Sequence, residues 1–463
     1  MEGNFMQKLD DFLWGWPLLL VFLGVGLFFT IRLRALPLRR LFYALKLAFG
    51  STGGDGISPY AALCTALAAT IGTGNIVGVA TALSLGGPGA LFWMVLSALL
   101  GMATQYAECF LGAKYRLKNG FGGPFAYIER GLGKKWLAQI YAFLGAAAGI
   151  LGVGTVTQVN SITSAVDAFF PSPAIALGRS GAVIVTGAIV TAASAIVLLG
   201  GGKRISDVCQ TLVPVMSVIY IFCCLSVLFF TRDQLPQALR LVMRSAFAPK
   251  AALGAFSGIS FKMAVRMGVG RGVFTNEAGL GTSAIAAAGA NNPDAVKQGL
   301  ISMTGTFIDT VVICTMTGLC LVTTGAWSMP LEGYAITDFA WQSALPWPGR
   351  LPSLLLMLCL IFFAFATIIG WSFYAERCLQ YLTSRHLKLY RLCYLLAIAT
   401  APYYSVRAAW QAADIMNALL AVPNIAAVLC LQGVVVRQTR ARFAKKNFCR
   451  ISLHSVGRFD KMR

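Results

Sequence analysis

The sequence is short of charge. Aspartate, glutamate, lysine and arginine make up 12% of its 463 residues, about half the ~25% of a soluble domain. A water-soluble protein of this length needs far more polar surface. Histidine is almost missing: His386 and His454 are the only two, and both sit in basic loops, so no zinc or haem constellation can be assembled. The 12 cysteines form no CxxC pair and mostly lie inside apolar runs, as do Cys223, Cys224 and Cys314. They read as small apolar packing residues, and no transition-metal site is expected. The alternating short segments of a membrane barrel are also absent.

What is present is apolar. Hydrophobic residues are 57% of the chain, in recurring runs of about eighteen or more, the length that spans a bilayer. Backbone groups in lipid must be bonded within the segment, so these runs are expected as helices. The expected fold is an all-α polytopic membrane protein of about eleven spans, at approximately 12–31, 58–84, 88–113, 136–166, 181–199, 207–230, 251–267, 296–323, 351–375, 390–405 and 411–436. The first run follows Asp10 and Asp11 and precedes Arg32 and Arg34. A cleavable signal has the opposite charge order, so this reads as a retained span with its N-terminus outside.

The net charge of +21 raises the question of a nucleic-acid partner. The placement of charge argues against one. With eleven spans, 30 of the 38 lysines and arginines fall on one side, counted in 32–50, 114–135, 200–207, 262–297, 376–391 and 437–463. That side is then cytoplasmic, its charges facing the anionic inner leaflet of the lipid bilayer. The expected location is a bacterial-type inner membrane with the C-terminus inside. The chain divides into an N-terminal span and basic loop (1–50), two groups of five spans (51–232 and 233–436) and a basic tail (437–463). The 234–250 stretch, with Leu235, Leu239 and Val242 at helical spacing, reads as an interfacial helix.

The most informative stretch is AALCTALAATIGTGNIVGVATALSLGGPGALFWM, residues 61–94. Gly72-Thr73-Gly74-Asn75 falls at mid-span, where two glycines weaken a helix. Thr70, Thr73, Asn75 and Thr81 place polar groups at the same depth, where a lipid-facing helix has no use for them. A second interruption is expected at Gly254, Ser257, Gly258 and Ser260. Each interruption opens one group of five, and five is odd, so the repeat is inverted. Paired interruptions at matching positions point to a transporter binding site. A broken helix offers bare amides to a carboxylate and freed carbonyls to a cation, which suits a zwitterionic amino acid.

GTGNIVGVATAL, GPGALFWM, QYAECFLGAKYR, GGPFAYIERGLG and RGVFTNEAGLGTSAIAAA resemble, in order, the signature stretches of the alanine or glycine:cation symporter family. The resemblance covers residues 14–436. It implies a leucine-transporter-like fold, a five-plus-five inverted repeat with one extra N-terminal helix. It also implies symport of a small neutral amino acid, alanine or glycine, with sodium or a proton as coupling ion and no other cofactor. By the same resemblance the amides of Thr73 and Gly74 receive the substrate carboxylate, and Asn75 helps hold substrate or ion. Gln158 faces the substrate, Phe256 walls the pocket near Ser260, and Trp371 lines it. The cation falls to carbonyls near Ala68 and Ile71 and to Phe363 and Thr367. Many relatives have Ser-Thr where this chain has Ala366-Thr367, which removes one hydroxyl ligand and leaves sodium and proton both open.

Asp309, near the middle of its span beside Thr306 and Thr310, is either a cation ligand or a structural partner of hydroxyls. Glu108 is expected to pair with Lys114 or Arg116, or to cap structure. Lys262 and Arg266 read as snorkelling side chains at an inner span end. Gly270-Arg271-Gly272 and Asn276-Glu277-Ala278-Gly279 read as an inner loop or gate with Arg271 and Glu277 as partners. No strand precedes this stretch and no GK[ST] follows, so no nucleotide site is expected. Trp327, Trp341 and Trp347 read as interface anchors. A membrane enzyme would need converging catalytic groups, and none are found.

Overall fold

The computed structural model describes residues 2–50, 56–117, 120–176, 178–247 and 261–444. Its principal helices are α1 (Trp16–Arg32), α2 (Pro59–Thr70), α3 (Val77–Gly86), α4 (Gly89–Lys114), α5 (Lys135–Leu151), α6 (Val156–Phe169), α7 (Gly181–Leu198), α8 (Gly201–Phe230), α9 (Phe261–Asn276), α10 (Ser283–Gly289), α11 (Ala295–Thr306), α12 (Thr315–Thr323), α13 (Leu351–Leu382), α14 (Leu387–Thr400) and α15 (Val406–Cys430). Several start where the sequence supplies a cap. Ser58 accepts from the Ala61 amide at 3.0 Å, Asp294 from Lys297 at 3.1 Å and Ser405 from Ala408 at 3.2 Å. Each satisfies an amide that the first turn leaves without a partner. Pro59 at the first helical position adds a residue already shaped for a helix start.

Among the described residues, eight stretches are long and apolar enough to cross a membrane: Phe5–Arg32, α4, α5 with α6, α7, α8, Ala295–Thr323, α13 and α15. A ninth is the pair formed by α2 and Thr73–Gly86, bent by 60°. Among the described residues nine of the expected eleven are thus found, residues 251–260 of the predicted span 251–267 lying outside them. The other two predicted spans fall on α9 and α14, of 16 and 14 residues. Phe143, Ile189, Phe222 and Val422 are exposed on the outside of the bundle. In water such a surface would be unusual; in lipid it is ordinary.

Helix α4 is the hub, packing against α1, α9, α10 and α11. The chain from α9 to α10 runs alongside it in the same direction. Gly268 lies against Ala90 and Trp93, Gly272 against Met94 and Ser97, Gly101 against Ala278, and Gly112 against Ala284. The α2–α3 pair runs the other way, since Gly86 abuts Met263 and Met267 while Ile57 bridges Ala290. Two interrupted helices thus cross the bundle side by side in opposite senses.

This arrangement corrects the expected span 7. Residues 262–267 are not a span end, nor 270–279 a loop, at the basic end, the end that holds Lys114 and Lys297. They form α9 and its exit, entering from the opposite end. Arg266 pairs there with Asp11, so Lys262, Arg266 and Arg271 leave the set of cations counted on the basic side. Two of the expected interface anchors, Trp341 and Trp327, are buried instead; Trp341 packs at 5.6 Å from the Tyr220 ring. The Leu235–Phe247 helix forms as expected, with Val242 buried and Leu239 exposed.

Candidate functional site

Helix α2 ends at Thr70, and Ile71 and Gly72 are extended before a single 3-10 turn at Thr73–Asn75 leads into α3. The turn is held from outside the helix. The Gly72 amide donates to Asn75 Oδ1 at 2.9 Å and the Thr73 amide to Gln158 Oε1 at 3.2 Å. In an unbroken helix these amides bond the carbonyls of Ala68 and Ala69. Diverting them frees both carbonyls in a buried setting. Among the described residues the Thr73 hydroxyl, also buried, has no hydrogen-bond partner.

A neighbouring helix comes close enough to use those oxygens. Gly370 of α13 leaves so little room that a Cβ there would lie 2.6 Å from the Ala69 nitrogen. At that approach Thr367 Oγ1 lies 3.3 Å from the Ile71 carbonyl and 3.2 Å from that of Phe363. A Cβ on Gly72 would stand 2.3 Å from the same hydroxyl. Ala68, Ile71, Phe363 and Thr367 are therefore brought together as oxygen donors. Ala366 is fully buried beside them and offers no hydroxyl.

Asp309 reaches the break from another side. It lies in a π-helical segment, Phe307–Cys314, joining α11 to α12, and π-bulges are frequent at functional sites. Asn75 Nδ2 donates to Asp309 Oδ1 at 2.8 Å, and Thr310 Oγ1 donates to Oδ2 at 2.6 Å. Asn276 Nδ2 donates to Thr310 Oγ1 at 3.1 Å, and Thr275 Oγ1 lies 3.3 Å from it. The expected cation residues thus fall into two oxygen clusters, one around Thr367 and one around Asp309. Asn75 belongs to the second and braces the break that feeds the first.

The second interruption among the described residues is at 277–282, between α9 and α10. Glu277, Gly279 and Gly281 all have positive φ, of 56°, 101° and 79°. Glycine adopts this conformation freely, but a glutamate held there costs on the order of 1–3 kcal/mol. Glu277 is 1% exposed and fixed by two donors, Trp371 Nε1 at 2.8 Å and Thr282 Oγ1 at 2.5 Å. Trp371 therefore turns its indole to the second break. Phe256 and Ser260, with the interruption expected at 254–260, lie outside the described residues.

A third irregularity, between Leu151 and Val156, separates α5 from α6 and aims Gln158. Its amide nitrogen is held by the Val153 carbonyl at 3.0 Å, so its oxygen is left for Thr73. Tyr394 OH stitches the same irregularity to α13 through Gly154 O at 2.9 Å and Ile368 O at 2.7 Å.

Polar contacts close the bundle on both sides of the breaks. Toward the opposite end, Arg271 grips Asp414 of α15 through two bonds of 3.1 and 2.9 Å, with the Trp410 ring centroid 5.0 Å from the guanidinium. Arg271 and Glu277 are therefore not partners. Toward the basic end, Asn424 donates to Glu108 Oε1 and to Gly279 O and accepts from Tyr127 OH. Glu108 thus pairs with an asparagine rather than with Lys114 or Arg116. Thr275 is not singled out in the sequence; Asn276 and Glu277 are, but as an inner loop or gate, and Thr310 only as a neighbour of Asp309. The signal for this break was Gly279 and Gly281 following three polar residues, the same signature as Gly72-Thr73-Gly74-Asn75.

This geometry has counterparts in known proteins. The chain superimposes on the crystal structure of MhsT in complex with L-phenylalanine with a TM-score of 0.54, covering 84% of this chain and 100% of that one at 13% identity. The two therefore share the leucine-transporter fold. It is 46% identical over 450 residues to an uncharacterized transporter of Haemophilus influenzae, covering 96% of each chain. It is 41% identical over 455 residues to the sodium/alanine symporter AgcS of Methanococcus maripaludis, covering 95% of this chain and 96% of that one. The family profile described as the sodium:alanine symporter family matches residues 1–450, which makes the chain a secondary transporter and not an enzyme. The chain belongs to the sodium:alanine symporter family.

Proposed function

We propose that the chain imports alanine or glycine with sodium by alternating access. The observation that carries this reading is the pair of opposed helix breaks, joined through Asn75, Asp309, Thr310 and Asn276. The substrate carboxylate is assigned to the Gly74 amide and the unpartnered Thr73 hydroxyl. The Thr73 amide joins them when Gln158 yields it. The ammonium group is assigned to carbonyls released at the breaks, and Trp371, with Phe256, limits the side chain to hydrogen or methyl. Steric exclusion matters here, because a pocket discriminates only weakly against a missing methylene.

Sodium is assigned to the carbonyls of Ala68, Ile71 and Phe363 and to Thr367 Oγ1, all hard oxygen donors. The Asp309 cluster is the place for a second sodium or a proton. Transport opens one end at a time, by parting Arg271 from Asp414 or by releasing the Asn424 and Glu277 contacts. The basic end is assigned to the cytoplasm on the positive-inside rule, in a bacterial-type inner membrane. The two helix groups, 51–232 and 233–436, act as inverted repeats. The driving force suffices: one charge moving down 100 mV releases about 2.3 kcal/mol, roughly a fiftyfold accumulation. The test is uptake of radiolabelled alanine and glycine into proteoliposomes under imposed sodium or proton gradients. Uptake driven by sodium alone supports the assignment. Uptake driven only by a proton gradient moves the coupling ion to Asp309, and counterflow with both gradients collapsed makes the chain an exchanger.

A further inference from the structure

A second candidate binding site lies away from the breaks, where α1 leaves the bundle at the basic end. Here Arg34 and Ala35 adopt φ of 57° and 52° in succession. Left-handed backbone at two residues that are not glycine costs roughly 1–2 kcal/mol each, so surrounding contacts must hold the turn. The Ala35 amide bonds Thr30 O at 2.7 Å and the Arg34 amide bonds Ile31 O at 2.9 Å. The turn leads into two short helices, Leu36–Arg39 and Leu41–Phe49. The second buries Ala44 and Ala48 against the bundle and turns Phe42 and Phe49 outward, 86% and 61% exposed. That is the profile of a helix lying in the membrane interface.

Between this turn and the helical residues that follow α15 is a cavity of about 380 Å3. Four arginines line it, Arg34, Arg39, Arg40 and Arg440, and among the described residues no acidic side chain does. Among the described residues none of the four makes an ion pair, although nearby Arg442 pairs with Asp294 at 3.0 Å. The rest of the wall is largely apolar, with Leu33, Leu36 and Phe443. The cavity is also braced. Arg440 donates to Arg32 O at 3.0 Å, Arg32 donates to Gln432 Oε1 at 3.0 Å, and Arg40 stands 5.4 Å from the centroid of the Phe443 ring.

We propose that this cavity binds the phosphate of an anionic phospholipid headgroup. Guanidinium groups match phosphate oxygens two at a time, and four with no acidic partner among the described residues call for an anion. A basic pocket at a helix junction on the cytoplasmic side is where such headgroups are held. The apolar wall and the outward Phe42 and Phe49 favour a lipid over free phosphate, since they give the glycerol and first methylenes something to lie on. The bound lipid ties α1 to the helical residues 431–444, outside the substrate path.

The delipidated transporter in detergent can be titrated with short-chain phosphatidylglycerol, phosphatidylcholine of the same chains, and inorganic phosphate, with bound species counted by native mass spectrometry. Phosphatidylglycerol should bind in preference to both. R39Q/R40Q should weaken it about thirtyfold, from the attraction each surface arginine contributes. R34Q alone gives a smaller loss and covers the case in which the double variant does not fold. R407Q, at the opposite end, should change nothing. Equal binding of the two lipids, or unaltered binding by R39Q/R40Q and R34Q, overturns the proposal. So does inorganic phosphate that binds as tightly as phosphatidylglycerol, since the site is then one for a soluble anion.

Discussion

Asn75 has two jobs that one substitution series can separate. Its Oδ1 accepts the Gly72 amide at 2.9 Å and its Nδ2 donates to Asp309 Oδ1 at 2.8 Å. Asn75→Ala removes both bonds and strands a buried amide and a buried carboxylate oxygen. Each stranded group costs about 1–3 kcal/mol, so the variant should lose uptake and several degrees of thermal stability together. Asn75→Asp keeps the acceptor but replaces the donor with an oxygen facing Asp309. Two charges about 4 Å apart repel by roughly 4 kcal/mol at an effective dielectric constant near 20, which is enough to abolish transport. Asp309→Asn in the same chain supplies a new donor from the other side and removes one charge. Asn75→Asp/Asp309→Asn should therefore recover stability lost by Asn75→Asp alone, and substrate binding with it. Uptake in proteoliposomes and melting in detergent read the two effects. If Asn75→Asp transports like the parent, or the double variant is no more stable than Asn75→Asp, the bridge between break and carboxylate is not what holds the site.

Thr367→Val removes the hydroxyl shared with the Ile71 and Phe363 carbonyls and should raise the sodium concentration for half-maximal uptake about tenfold or more, one charge-assisted contact being worth ~1.5–3 kcal/mol. Ala366→Ser adds a hydroxyl beside Thr367 and should shift the sodium curve the other way; an unmoved curve in both variants takes sodium away from this cluster. Trp371→Phe keeps a ring but leaves Glu277 Oε1 without its donor; uptake should fall with little change in protein yield, and normal uptake would free the indole of any role. Asp414→Asn breaks a two-bond ion pair that is 17% and 9% exposed, a loss of about 3–5 kcal/mol where such a pair is fully buried. It should speed thiol labelling of a cysteine placed at Gly78, which lies against Trp410; an unchanged rate argues against a gate.

The first break was legible because its polar residues stand alone in an apolar run. The second was written in the same letters, Asn276-Glu277-Ala278-Gly279-Leu280-Gly281, yet read as a loop. The difference is charge: Lys262, Arg266, Arg271 and Glu277 make the stretch look aqueous. Charge within a membrane is tolerated when paired, and the partners lie far off in sequence. Arg271 meets Asp414 143 positions away, and Glu277 meets Trp371 94 positions away. Glu108 meets Asn424 316 positions away, while the local cations Lys114 and Arg116 take no part. Local charge density therefore misplaced span 7, and the positive-inside count inherited the error at Lys262, Arg266 and Arg271. Gln158 and Thr367 came from the family resemblance, and the structure brings both to the break. Their exact partners depend on how closely helices approach, which only packing decides.

That approach is the basis of a last test. Thr367 reaches the Ile71 carbonyl only because Gly370, one turn further along α13, lets the helix rest on Ala69. A Cβ at 370 would fall 2.6 Å from the Ala69 nitrogen and 2.9 Å from its Cα. Backbone cannot yield as a flexible side chain can, so Gly370→Ala must push α13 away from α2. No ligand of the proposed cation is altered, and no substrate contact is removed. If the oxygens of α2 and α13 jointly hold sodium, a shift of even a few tenths of an ångström lengthens several contacts at once, and the ion should bind at least tenfold more weakly. Overpacking of this kind costs about 1–3 kcal/mol, so the fold should survive. At saturating sodium the alanine concentration for half-maximal uptake should return toward the parental value, because no group assigned to the carboxylate is altered. A sodium curve identical to the parent would mean that the ion does not bridge these two helices. A loss of alanine affinity that sodium cannot repair would place the substrate, not the cation, between them.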